Sequence, residues 1–134
     1  MTDTTETART ENDTTEAIVD ETEPGLPRKF LRPFLLLALA NDDTAHGYEL
    51  CEAVRARGLA VDLAGVYRDL RTMEQHDLVT SSWEPSGVGP DRRVYELTFD
   101  GRREARVALR ELQEVRDGLS AALSSFSATA KPTS

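Results

Sequence analysis

Between Asp62 and Thr98 the hydrophobic period switches from that of a helix to that of strands, and this switch restricts the fold more than any other feature. Val66, Leu70 and Met73 recur at spacings of four and three, which gives one apolar face to a helix. Leu78 and Val79 follow at its end and would tuck into a core. Asp62 stands at its start, where a carboxylate accepts from free backbone N–H groups and meets the positive end of the helix dipole. After Val79 the period becomes 2. Residues 80–84 and 92–98 read as two short strands around the turn-rich Pro85-Ser86-Gly87-Val88-Gly89-Pro90.

Tyr67, Arg68 and Arg71 fall off the apolar stripe of that helix. Arginine can bond guanine edges bidentately, and arginine and tyrosine can both hold phosphates, so this open side suits a helix that reads the major groove. The plain alternative is a surface helix with solvated arginines, the usual state of charge on an exposed face. The hairpin directly behind it shifts the balance. With Arg92 and Arg93 at its base it has the form of a wing, a loop lying along a groove while paired arginines hold phosphates.

Upstream, Phe30 to Ala40 is strongly apolar and reads as the central core helix, with Pro33 tolerated in the first turn. Asn41 to His46 reads as a polar turn. Gly47 opens a second helix that runs to about Arg57 with Tyr48, Leu50, Cys51 and Val54 as its apolar residues, and Gly58 ends it. Helix, turn and helix therefore stand in sequence before the wing. His46 is expected to order the turn before the second helix, and His76 to be a solvated helix-end residue.

The last helix starts near Thr98 or Asp100, either of which can cap it, and runs to about Ser127. Ala105, Leu112, Leu119 and Phe126 repeat every seven residues. Ala108, Val115 and Ala122 fill positions three residues later, and Leu109 and Leu123 widen the stripe. Such a seam suits a paired helix. The winged domain has little surface left to cover this length, so the seam Ala105, Leu109, Leu112, Val115, Leu119, Leu123 and Phe126 is assigned to self-association. Gly118 inside it marks a bend or a close approach.

The net charge of −8 is unevenly placed. Residues 1–25 hold eight acids and only Arg9, whereas the remainder holds 16 acids and 15 bases, so the body is nearly neutral and can meet a polyanion through local clusters. The first 25 residues, rich in Thr and Glu, read as a disordered acidic tail, in keeping with a hydrophobic fraction of only 39%. The tail either solubilises or competes with DNA for the basic surface. A single cysteine, Cys51, cannot form an internal disulfide, so a reducing cytoplasmic setting is expected, with Cys51 as a small buried hydrophobe. Neither a transmembrane run nor a signal peptide is evident. No nucleophile arrangement and no metal-ligand spacing surrounds His46, His76 or Cys51, so no enzyme, metal or cofactor is expected.

Leu35-Leu36-Leu37-Ala38-Leu39 followed by His46-Gly47-Tyr48-Glu49-Leu50 resembles the opening of the PadR-like transcriptional regulators. Val66-Tyr67-Arg68-Asp69-Leu70-Arg71 with Leu78-Val79 resembles that family's reading helix. Trp83-Glu84 and Gly89-Pro90-Asp91-Arg92-Arg93-Val94-Tyr95-Glu96-Leu97-Thr98 with Gly101 resemble its wing and exit. The match covers about residues 30–102. It implies a mainly α (α+β) fold: a winged helix-turn-helix domain over 26–98, a dimerisation helix over 99–128, and a frayed end over 129–134. Carried over by position, Gly65, Tyr67, Arg68 and Arg71 fall on the DNA side of the reading helix, with Arg92 and Arg93 as wing contacts. Family members often place Ser-Pro-Gly-Thr where Asp62-Leu63-Ala64-Gly65 stands here. Gly65 lacks the hydroxyl and Asp62 adds a negative charge, which puts the family's sequence readout in doubt for this chain.

The function implied is a homodimeric repressor of a roughly palindromic double-stranded DNA operator, released in some members by a small planar or lipophilic effector bound between the winged domain and the last helix. Trp83, Tyr48 and Phe99 are more readily core than ligand residues. The competing reading is a winged-helix protein-interaction module with little DNA binding. A contiguous positive patch of Arg68, Arg71, Arg92 and Arg93 would favour DNA.

Overall fold

The computed structural model describes residues 25–129. The tail expected over 1–25 lies outside them but for Gly25, and the frayed end expected over 129–134 but for Thr129. A short 3-10 turn at Arg28–Phe30 leads into α1 (Leu31–Asp42), β1 (Thr44–His46), α2 (Gly47–Ala56), α3 (Leu63–Gln75), β2 (Val79–Glu84), β3 (Arg92–Leu97) and α4 (Phe99–Thr129).

Helix α1 is central because its leucines leave it nowhere else to go. Leu31, Leu35, Leu36 and Leu39 are all buried, and the helix touches every other helix and the sheet. Pro33 sits in the first turn, where its missing N–H costs no helical bond. Around α1 close Leu50, Cys51 and Val54 of α2, Val66, Leu70 and Met73 of α3, and Val79, Tyr95 and Leu97 of the hairpin. The three apolar residues that marked α3 in the sequence are fully excluded from solvent. Burial also pushes the Cys51 thiol up, as for an inert core cysteine.

The segment expected as a polar turn before α2 is mostly not a turn. Asp43, at φ 66°, reverses the chain by itself. Thr44–His46 then pair antiparallel with β3, placing Ala45 opposite Tyr95 and His46 opposite Val94. The sheet is therefore three-stranded, in the order β1-β3-β2. Three residues are too few to show alternation. This strand forms because the edge of β3 would otherwise leave backbone groups unpaired.

Helices α2 and α3 end alike, each with a left-handed residue after its last turn. Gly58 fills that place after α2, at φ 102°, and Asp77 fills it after α3, at φ 61°. After α3 the Leu78 N–H donates to the Met73 carbonyl and the Asp77 N–H to that of Glu74, which turns the chain directly into β2.

Of the two expected caps of α4, Thr98 does the capping. The Gly101 N–H donates to Thr98 Oγ1 at 2.9 Å, and Thr98 donates through Oγ1 to the Asp77 carbonyl at 2.7 Å and through its N–H to that of Leu78 at 3.0 Å. Asp100 instead pairs with Arg103 at 3.6 Å. Gly101 is buried against the Leu78 carbonyl, so close that a Cβ there would collide with its oxygen. Ala105 and Ala108 are buried in the domain core. From Leu109 onward most of its apolar residues are exposed; its 31 residues reach about 46 Å. Nothing within the chain lies within 4 Å of a Cβ built on Gly118, so no other part of the same chain approaches it closely.

Candidate nucleic-acid interface

One cleft of about 450 Å³ gathers most of the residues singled out in α3 and the wing. Tyr67 and Arg71 of α3, Arg92 and Arg93 of β3, Trp83 of β2, and His46 and Tyr48 at the start of α2 line it, with Glu74, Asp91 and Tyr95. Arg68 lies outside the cleft on the exposed side of α3, one turn before Arg71. Among the described residues neither Arg68, Arg71 nor Arg92 has an ion pair. Of the four arginines expected to form one positive patch, Arg71, Arg92 and Arg93 line the cleft beside Glu74 and Asp91, and Arg68 does not.

Tyr67 owes its position to Gly47. A Cβ on Gly47 would fall 2.6 Å from Tyr67 Cζ and 2.8 Å from its hydroxyl oxygen, so the hydroxyl end of the ring packs against the first turn of α2. That contact joins the two helices of the helix-turn-helix. A glycine at a helix start carries no sequence signal for it, because the neighbour that requires it is 20 residues away.

Gly65 is not on the open face. It is buried in the first turn of α3, where its N–H donates to Asp62 Oδ1 at 2.8 Å. A Cβ there would stand 3.0 Å from Asp62 Oδ1 and 3.2 Å from a terminal nitrogen of Arg28. The Asp62 carboxylate is thereby turned back onto the helix end. Arg28, in the 3-10 turn before α1, comes to this first turn of α3.

Arg93 is held. Its Nε donates to Ser81 Oγ at 3.0 Å, an Nη lies 3.5 Å from Glu74 Oε1, and the guanidinium sits 5.5 Å from the centre of the Trp83 ring. Glu74, three residues after Arg71 on α3, is thus paired with Arg93 of the wing.

His46 orders the start of α2, as expected, and also reaches the wing. Its backbone N–H donates to Glu49 Oε1 at 2.9 Å, its Nδ1 lies 2.9 Å from the same oxygen, and its Nε2 lies 2.9 Å from Glu84 Oε1. Carboxylates on both ring nitrogens favour the doubly protonated ring. The Glu84 bond and then the Glu49 bond raise the His46 pKa above its usual 6.5, against burial and the nearby Arg92. Glu49 is lowered, first by the His46 N–H. His76 caps the end of α3 and is exposed, with Arg32 at 3.5 Å.

The three aromatics read as core are on the surface: Tyr48, Trp83 and Phe99 are 62%, 64% and 74% exposed. Tyr48 and Phe99 stand on the open side of first helical turns. Trp83 lies on the hairpin beyond Tyr95, where the core has ended. Tyr48 and Trp83 border the cleft, while Phe99 lines neither it nor the groove beside α4.

Along the assigned dimer seam, Ala105 is buried in its own domain. Leu112 is half-buried, and Leu109, Val115, Leu119, Leu123 and Phe126 are 40–65% exposed. An apolar groove of about 590 Å³ runs between Leu26, Phe30 and Phe34 on one side and Leu112, Val115, Leu119 and Leu123 on the other.

Two helices joined by a turn, a third strand beside them and a two-stranded wing define a winged helix-turn-helix protein with a long C-terminal helix. The family model of the PadR-like transcriptional regulators matches residues 36–107, and the chain belongs to that family. It is a transcriptional regulator by family. Solved structures with the same fold include a PadR family transcription regulator from Clostridium difficile (22% identity, TM-score 0.61, 70% of this chain and 98% of that one). Others are a PadR-like regulator from Bacillus cereus (22%, TM-score 0.64, 72% and 93%) and a PadR family regulator from Eggerthella lenta (24%, TM-score 0.56, 71% and 86%). No curated protein sequence matches this chain. Among the described residues no helix is long and apolar enough to cross a membrane, and no group of three or more His, Cys, Asp or Glu could hold a metal ion.

Proposed function

We propose that this regulator binds double-stranded DNA as a homodimer in the cytoplasm and represses from a roughly palindromic operator. The observation that carries the reading is the cleft that α3 shares with the wing. It sets Tyr67, Arg71 and Arg92 around one cavity, with Arg68 one turn away, and among the described residues none of these three arginines has an ion pair. Arg68 and Arg71 enter the major groove from the open side of α3, and Arg92 holds a backbone phosphate. Tyr67 bonds a phosphate from its seat on Gly47.

The two-fold axis runs beside the projecting part of α4, where Leu109, Leu112, Val115, Leu119 and Leu123 meet the same residues of a second copy. The groove below them is the place for a lipophilic effector, which acts only if it prefers one spacing of the two reading helices.

The test is a salt-titrated binding assay on DNA from upstream of the protein's own gene, with wild type and Arg68→Ala. Binding that falls steeply with salt and is lost in Arg68→Ala supports the reading. A folded dimer that binds neither these fragments nor any sequence selected from random DNA would leave the interaction-module reading in its place.

A further inference from the structure

Arg92 and Arg93 are neighbours in the chain and opposites in the structure. Successive residues of a strand face opposite sides, so of these two arginines, which both border the cleft, only one stands on the hairpin face that packs toward α3. The side of the hairpin that faces α3 carries Val79, Ser81 and Trp83 from β2 and Leu97, Tyr95 and Arg93 from β3. Exposure rises along it. Val79, Leu97 and Tyr95 are buried, Ser81 is half-buried, and Trp83 and Arg93 are open. The apolar core thus stops at Tyr95, short of the wing loop.

Beyond that point a closed ring of polar contacts takes over. Arg93 Nε donates to Ser81 Oγ at 3.0 Å, Ser81 Oγ donates to Glu74 Oε2 at 2.8 Å, and Glu74 Oε1 faces an Arg93 Nη at 3.5 Å. Trp83 lies against the guanidinium. The ring joins the last turn of α3 to both strands of the wing.

We propose that Arg93 is a positioning residue: acting through Glu74 and Ser81, it sets the wing against the reading helix and does not hold a DNA phosphate. The proposal rests on the reading of α3 and the wing as the two DNA-contacting elements. A guanidinium that left this ring for a phosphate would strand the Glu74 carboxylate in the wall of the cleft, facing the polyanion. Among the described residues Arg92 has no such tie, and it is the wing's phosphate contact.

The experiment is DNA binding across a salt series for wild type, Arg92→Ala, Arg93→Ala and Glu74→Gln, together with acrylamide quenching of Trp83, the one tryptophan of the chain. Arg92→Ala should weaken binding and reduce the salt slope by about 1, as for a lost phosphate contact. Arg93→Ala should weaken binding by roughly threefold or more at an unchanged slope. Glu74→Gln is the decisive variant. It removes a negative charge from the DNA side, so charge alone makes binding tighter, whereas loss of the anchor makes it weaker.

Without DNA, both Arg93→Ala and Glu74→Gln should make Trp83 more quenchable. A reduced slope in Arg93→Ala, tighter binding by Glu74→Gln, or unchanged Trp83 quenching in Glu74→Gln would each overturn the proposal. A wild-type protein that bound no DNA would sink the DNA-binding reading, while the Trp83 measurement would still decide whether Glu74 and Arg93 hold the wing.

Discussion

Helix α4 is one amphipathic helix with two fates. Over its first three turns the apolar stripe is small, with Gly101, Ala105 and Ala108, and the helix lies on α1 with that stripe buried. From Leu109 the residues on the stripe become large, and several of them stand 40–65% exposed. Small side chains let a helix come close to a surface that is already there. Large ones need a matching surface, and across the groove from Leu26, Phe30 and Phe34 the winged domain leaves them largely uncovered. The change from alanine to leucine along a single stripe is the change from an intramolecular contact to one suited to a second chain.

The sharpest way to break this comparison is Leu119→Glu combined with Leu123→Glu. If the projecting half is a dimer seam, buried unpaired carboxylates should raise the dimer dissociation constant by about 100-fold or more, measured by sedimentation, with the winged domain still folded. Equal self-association by the variant would mean that the dimer forms elsewhere. Leu70→Ala marks the other limit: at a fully buried site in α3 it should cost about 2–5 kcal/mol of domain stability.

Two glycines put the same question to one helix. Gly101→Ala pushes a methyl into the Leu78 carbonyl, so α4 must lift from the start of β2. The expected loss is about 1–3 kcal/mol in chemical denaturation. Gly118→Ala adds its methyl to open space, and helix propensity alone predicts a gain of up to about 1 kcal/mol. Should Gly118→Ala instead weaken self-association, the position would be a close approach between two copies.

Much of this plan was legible in the chain. The spacing of Val66, Leu70 and Met73 marked α3, the change of period after Val79 marked the hairpin, and the apolar stripe of α4 was visible as a heptad, although Ala105 was assigned to the seam and lies in the domain core. What was not legible depends on partners distant in sequence. Strand β1 is three residues long and exists because β3 offers an edge. The difference between Arg92 and Arg93 needs Glu74, 19 residues from Arg93, and the need for glycine at position 47 is created by the ring of Tyr67. Periodicity reports which face of an element is apolar. It does not report which polar groups on the other face find one another across the fold.

The smallest expected effect separates the winged domain from projecting α4 by pH. The His46 pairs with Glu49 and Glu84 lie wholly within the winged domain. The folded chain holds the His46 proton more tightly than the unfolded chain, since its pKa is raised above the usual 6.5. Its contribution to stability is therefore fully present below about pH 6.5 and is lost as the pH rises through the raised folded value. Glu49 works in the opposite sense: its contribution is present above its usual 4.5 and disappears as the pH falls through the lowered folded value.

Thermal unfolding of wild type and His46→Gln, followed from about pH 5.5 to about pH 9, isolates the histidine. The gap between the two should be widest at the acid end and close toward the alkaline end, while self-association of the two proteins stays alike throughout. A gap independent of pH would mean that His46 contributes only neutral hydrogen bonds. A gap that followed the dimer would mean that the winged domain and projecting α4 are not the separate units that the burial of α4 describes.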